Sequence, residues 1–243
     1  MVLREYARFS REAASANSSY EDYLEKLTEL EVSQRSSNAI TNRIRAAGFP
    51  ILKDLESFEF TLAPSLNKQK VLELSRGQWI AEHYNCCLIG NSGTGKTHLA
   101  VALGQAACRH GRHVRFHTAA SLVTQLEEAQ KQYRLEKFLS SLERISLLIV
   151  DELGYLSLSA SGAELLFQVF AERYERGPGA PGITSNLPFG EWGGVFKSER
   201  MTAALLDRLT HRCHILECNG ESYRFRQSRK QVKEKDAKEL TMG

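Results

Sequence analysis

Eight consecutive residues, Gly90-Asn91-Ser92-Gly93-Thr94-Gly95-Lys96-Thr97, have the types and the G-x-x-x-x-G-K-[ST] spacing that wrap a phosphate. Glycines let the backbone turn its N–H groups onto an anion, and the N-terminus of a following helix adds partial positive charge. Lys96 is then expected to reach the β- and γ-phosphates of a nucleoside triphosphate, and Thr97 to offer its hydroxyl to Mg2+. A second constellation, Leu147-Leu148-Ile149-Val150-Asp151-Glu152, is an apolar run that ends in two carboxylates. Asp151 is expected to hold Mg2+ through water. Glu152 is the candidate to orient and polarise an attacking water, the role that separates an NTPase from a nucleotide kinase or a passive binder. Without the phosphate loop, the same two carboxylates read as an ordinary strand exit.

Three more polar residues are candidates. Asn186 closes the segment Ile183-Thr184-Ser185-Asn186, where its amide could bond the water or the γ-phosphate; turn chemistry before Pro188 is the alternative. Arg208 sits in the amphipathic stretch Ala204-Leu205-Leu206-Asp207-Arg208-Leu209 and could face the site of a neighbouring subunit, making hydrolysis depend on assembly. Arg224, in Ser222-Tyr223-Arg224-Phe225-Arg226, would reach the phosphates of its own subunit. Surface ion pairs are the alternative for both arginines.

The elements that must position these residues follow from periodicity. Residues 20–47 read as a helix stopped by Gly48-Phe49-Pro50, and 51–64 as a linker that lies against the next domain through Phe58 and Phe60. From 66 onward the pattern alternates. Helix 66–83 leads to a strand ending at Gly90, helix 96–110 to strand 113–118, and helix 120–142 to strand 146–150. Helix 160–176, the Asn186 segment, helix 198–210 and strand 213–217 complete the order. Near-continuous apolar strands between helices call for an α/β fold with a parallel sheet covered on both faces. The expected organisation is a helical N-terminal region over 1–57, an NTPase domain over 58–228 and a charged tail over 229–243.

Composition narrows the class. Hydrophobic residues are 42% and charged residues 25% of the 243, which excludes a disordered or collagen-like chain. Apolar runs such as Leu147 to Val150 fall far short of the ~20 residues that cross a bilayer, so no membrane partner is expected. The first residues carry early charge and no apolar secretory core, which reads as a cytoplasmic protein. Net charge is only +3, but residues 197–243 hold 11 basic against 7 acidic side chains, while residues 1–60 hold 8 against 10. Five cysteines without paired spacing read as reduced core thiols. A zinc site from His211, Cys213, His214 and Cys218 is disfavoured, because neighbours on a strand point to opposite faces.

The chain resembles the IstB-type transposition helper ATPases, an AAA+ group that also contains DnaC-like helicase loaders. The resemblance rests on the phosphate loop continued as His98-Leu99-Ala100, on Val150-Asp151-Glu152-Leu153-Gly154-Tyr155-Leu156, and on Thr184-Ser185-Asn186-Leu187-Pro188-Phe189. It extends through Thr202 to His211 and Asn219-Gly220-Glu221-Ser222-Tyr223-Arg224, and covers roughly residues 20–228. It implies ATP as the nucleotide, with Gly90 to His98 as its cradle and Thr97 and Asp151 at the Mg2+. It places Asn186 on the first sensor, Arg208 on the arginine finger and Arg224 on the second sensor. It further implies a homo-oligomer that assembles on double-stranded DNA and stimulates the transposase of the same element. The helix over Ala119 to Gln132 would contribute to DNA contact, with Gln125, Gln130 and Lys131 as its polar residues; a solvated helix face is the alternative. The acidic N-terminal helix suits partner docking better than DNA. A DnaC-like loader, with a replicative helicase as partner and a preference for single strands, is the runner-up.

One stretch departs from the pattern. Gly177-Pro178-Gly179-Ala180-Pro181-Gly182 stands where an apolar strand should run into the Thr-Ser-Asn sensor. Proline lacks the N–H of a strand ladder, so the sensor strand is expected to be truncated or distorted and Asn186 displaced. That would leave a nucleotide-gated DNA scaffold with little hydrolysis.

Overall fold

The computed structural model describes residues 2–176, 180–223, 225–226 and 228–229. Helix α1, Val2–Ser15, turns back onto α2, Tyr20–Ala47. Ser19 opens α2 with a capping box shared with Asp22, and Gly48 closes it at φ 74°. The next helical stretch is two helices, α3 (Lys68–Ser75) and α4 (Gln78–Ala81), parted at Gly77. Strand β1 (Asn85–Ile89) then feeds α5 (Lys96–Arg109), and β2 (Val114–Thr118) feeds α6 (Ala119–Lys131) and α7 (Leu135–Glu143). Strand β3 (Leu147–Leu153), α8 (Ala160–Arg176) and β4 (Ala180–Ser185) follow, then α9 (Trp192–Phe196), α10 (Glu199–His211) and β5 (Cys213–Glu217).

Among the described residues the five strands form one sheet in the order β2-β3-β4-β1-β5, every pair parallel. Alternate residues feed two cores. Cys86, Leu88, Leu147 and Ile149 face α5, the last residue of α2, Ala47, and the linker through Phe58. Cys87, Leu148, Val150 and Ile183 face α6, α8, α9 and α10. This two-sided burial explains why the inner strands β1 and β3 read as near-continuous apolar runs, while the edge strands β2 and β5 are mixed. The fold is that of an AAA+ P-loop NTPase with a helical N-terminal region.

The expectation of a truncated sensor strand is corrected. Residues 177–179 lie outside the described residues, but β4 is a buried six-residue strand paired on both sides. Proline is accommodated by the register. The Ala180 N–H bonds the Ser146 carbonyl on the β3 side, so the position of the missing Pro181 N–H faces β1. Pairing with β1 begins only at the next residue, Cys86↔Gly182, so no ladder bond is lost.

Candidate nucleotide site

The phosphate loop spans the gap between the end of β1 and the start of α5. Gly90, at φ 152°, has no room for a side chain: a Cβ there would lie 2.1 Å from the Cys218 carbonyl oxygen. Gly95, at φ 92°, would put a Cβ 2.6 Å from the Phe58 ring. These two positions require glycine for reasons of conformation and of space together. The Lys96 ammonium lies inside the loop, donating to the Gly90 and Asn91 carbonyls at 2.6 Å each. The Thr94 hydroxyl donates to the Asn91 carbonyl at 2.8 Å. On the outer side the Tyr223 N–H donates to the Gly93 carbonyl at 3.0 Å, so the segment after β5 braces the loop.

The two carboxylates arrive through a β-bulge. Pairing of β3 with β4 runs to Val150↔Ile183 and resumes at Leu153↔Ser185, so Asp151 and Glu152 together oppose the single residue Thr184. Glu152 takes a left-handed conformation, φ 61°, which costs a side-chain-bearing residue about 1 kcal/mol. Asp151 is buried and its carboxylate accepts from the Thr97 hydroxyl at 3.0 and 3.1 Å. Thr184, also buried, donates its hydroxyl to Asp151 and accepts the Glu152 N–H at 3.0 Å. Ser185 donates to the Leu153 carbonyl at 2.7 Å and accepts from the Leu187 N–H, which fixes the strand exit before Asn186.

A cavity of about 460 Å3 lies over the loop, lined by Ser92 to His98, Glu152, Thr184, Asn186 and Tyr223 on one side. The other wall is the linker after α2, through Ile51, Lys53, Phe58 and Leu62. His98 holds that wall, its Nε2 lying 2.7 Å from the Asp54 carbonyl and 3.4 Å from the Ser57 hydroxyl, with its ring edge-on to Phe58. Buried Gln105, further along α5, donates to the Lys53 carbonyl at 2.6 Å. Asp54 is itself ordered by the Ser57 hydroxyl and N–H, which hold its carboxyl below the ordinary value. The packing of the linker through Phe58 and Phe60 is as the sequence predicts, but the roles of Thr184 and Gln105 and the linker's place as a cavity wall were not legible there. Thr184 needed the bulge register, and the others needed contacts over some fifty residues of chain.

The geometry suits a triphosphate with a hard cation. Thr97 and Asp151 present a hydroxyl and a carboxylate side by side, the oxygen donors that Mg2+ takes. Asn186 lines the cavity with a buried Oδ1 that has no hydrogen-bond partner, so its amide is available to a ligand. Arg208 stands elsewhere. It pairs with Glu175 of α8 at 3.3 Å, lies 5.8 Å from the Phe167 ring, and does not line its own chain's cavity. Arg224 lies outside the described residues. On α6, Gln130 and Lys131 are exposed and Gln125 is half-buried. Four of the five cysteines are buried thiols, and among the described residues no cluster of three His, Cys, Asp or Glu is placed to hold a metal. His214 stacks on Tyr84 while Cys213 lies towards Cys87, as opposite faces of β5 require.

Comparison with known proteins gives the family of the chain. Residues 1–231 match the family described as IstB-like ATP binding protein. An ATP-binding protein named for insertion sequence IS5376 of Geobacillus stearothermophilus is 37% identical over 237 residues, 97% of this chain and 94% of that one. The corresponding IS21 protein of Pseudomonas aeruginosa is 36% identical, over 90% of this chain and 82% of its own. Among solved structures, AMPPCP-bound DnaA of Aquifex aeolicus superposes with a TM-score of 0.60 at 23% identity, over 77% of this chain and 56% of DnaA. The DnaC helicase loader superposes at 0.52 and 20% identity, over 75% of this chain and 98% of DnaC, a likeness of fold. With a phosphate loop, a bulged carboxylate strand and an intact sensor strand converging on one cavity, the chain belongs to the IstB-like ATP-binding protein family.

Proposed function

We propose that this protein is an ATPase that acts as a transposition helper, assembling on double-stranded DNA and stimulating the transposase of its element. The observation that carries the hydrolytic part is the bulge, which brings Glu152 to the cavity beside the Asp151–Thr97 pair. In this reading the Gly90 to Thr97 backbone and Lys96 hold the phosphates, and His98 acts indirectly by holding the linker. Mg2+ would be bound by Thr97 and Asp151 and would supply charge neutralisation at the β- and γ-phosphates. Glu152 accepts a proton from the attacking water, and Asn186 orients that water or the γ-phosphate. Arg208, half-buried on α10, paired with Glu175 and outside its own chain's cavity, serves the site of a neighbouring subunit, while Arg224 serves its own. The relatives named for insertion sequences support the transposition context. Residues 1–57 would dock the partner or neighbouring subunits, and exposed Gln130 and Lys131 of α6 would meet DNA phosphates, giving salt-dependent binding with little sequence preference.

The test is ATP turnover with and without duplex DNA, in the unsubstituted chain, Glu152→Gln and Arg208→Ala, with particle size followed by light scattering. DNA-stimulated turnover that both substitutions abolish is the expected result. Assembly on DNA without turnover in any of the three would overturn the hydrolytic reading and leave a nucleotide-gated scaffold. Preference for single strands with no response to a transposase would favour a helicase loader instead.

A further inference from the structure

The hydroxyl of Thr184 joins the two carboxylate-bearing residues of the site through separate bonds. One is its own hydrogen, given to the Asp151 carboxylate; the other is the lone pair that receives the Glu152 N–H at 3.0 Å. The two bonds use different halves of the group, so a threonine hydroxyl satisfies both at once. Its place in the register matters as much. Thr184 is the one residue of β4 that faces the two-residue bulge of β3, and it is 1% exposed. In a regular strand Asp151 and Glu152 would point to opposite faces of the sheet. Here the extra residue and the left-handed Glu152 break that alternation, so Asp151 reaches Thr97 while Glu152 lines the cavity.

We infer that Thr184 is a positioning residue for hydrolysis: its hydroxyl clamps the β3 bulge, fixing the Asp151 carboxylate against Thr97 and holding the Glu152 backbone in the conformation that aims its carboxylate into the cavity. The inference rests on the ATPase reading for its effect on turnover, while the clamp itself is a property of the folded chain. A packing role predicts a different pattern. Valine keeps the shape of threonine without the hydroxyl, and serine keeps the hydroxyl without the methyl. If shape were the whole of the role, Thr184→Ser would be the more harmful change; for a clamp it is Thr184→Val.

The experiment measures three quantities in the full chain and both variants: kcat and KM for ATP, affinity for a fluorescent non-hydrolysable ATP analogue, and hydrogen exchange of the Glu152 amide. In Thr184→Val, kcat should fall about tenfold to a hundredfold, the range for losing a partner that orients a ligating or reacting group. Analogue affinity measured without Mg2+ should stay within about threefold, because the loop backbone and Lys96 are untouched. Exchange of the Glu152 amide should accelerate at least tenfold, its acceptor being gone. Thr184→Ser should match the unsubstituted chain within about threefold in all three. Should the valine chain fail to fold, Thr184→Ala gives the same contrast with serine. The inference is overturned if valine leaves both kcat and amide exchange unchanged, or if serine falls as far as valine. An unsubstituted chain without turnover would end the ATPase reading instead, and the amide measurement would still decide the clamp.

Discussion

Phe58, in the linker after α2, packs its ring over the phosphate loop at Gly95, and its removal should weaken both the linker and the loop. The ring is 9% exposed, meets Phe60 at 4.9 Å and His98 at 5.2 Å between centroids, and fills the space over Gly95. Truncating a buried phenylalanine to alanine costs roughly 3–5 kcal/mol. The lower figure applies here, because one side of the ring borders an open cavity into which the linker can relax. About 1 kcal/mol of the loss belongs to the two edge-on ring contacts. Phe58→Leu, which restores the apolar volume but not the ring edges, should recover most of the stability. Nucleotide affinity should fall about tenfold in the alanine chain, equivalent to about 1.4 kcal/mol, since the wall facing the loop is no longer held. Urea unfolding followed by fluorescence gives the first quantity and titration with a fluorescent ATP analogue the second. Unchanged affinity in a chain that has lost about 3 kcal/mol would refute the assignment of the linker as a wall of the nucleotide site. A stability loss under about 1 kcal/mol would refute its place in the core.

Gly90→Ala should be more damaging than any other single methyl added to the loop, because the new Cβ would stand 2.1 Å from a backbone carbonyl that no rotamer change can move. Loss of analogue binding together with a melting temperature lowered by several degrees is expected, and a chain that binds normally would contradict the close approach of Cys218. Acidification should destabilise the protein through two histidines, His117 and His214, whose protonation burial disfavours, helped by Arg115 beside the first and Lys70 beside the second. The folded chain then binds fewer protons than the unfolded one as pH falls past the ordinary histidine value of 6.5, so stability rises with pH across that window and is lost below it. Melting curves between pH 7.5 and 5.5 should show the decline, shallower in His214→Phe, which keeps a ring against Tyr84 but cannot titrate.

The phosphate loop was legible because all its determinants lie within eight residues, and glycine, lysine and threonine each have one use at that spacing. Most helices and strands were legible for the same local reason. Errors came where the deciding contact is distant. Helix 120–142 divides at Tyr133, which takes φ 55° with no glycine or proline to announce it. The sensor strand was misread because a proline rule for strands says nothing about which neighbour the missing N–H would face; Pro181 faces β1 one step before pairing begins. The bulge at Asp151 and Glu152 exists only as a mismatch between two strands, so neither strand's residues reveal it. Helix α1 lies within the helical region expected over 1–57, but its separate bounds were not legible from periodicity, although its first turn carries Glu5 as helix starts favour.

The bracing of the loop by Tyr223, and of the linker by Ser65 bonded to Glu217 and Asn219, has a consequence for synthesis. The cradle is closed by residues that leave the ribosome late, after β5, while its opposite wall, near Phe58, emerges early. A nascent chain therefore cannot complete the nucleotide pocket until nearly all of the domain has been made. Ligand occupancy thus becomes a signature of a completed nucleotide-binding domain: a truncated product lacking β5 and its following segment would carry the phosphate-loop residues yet remain without the brace that shapes them.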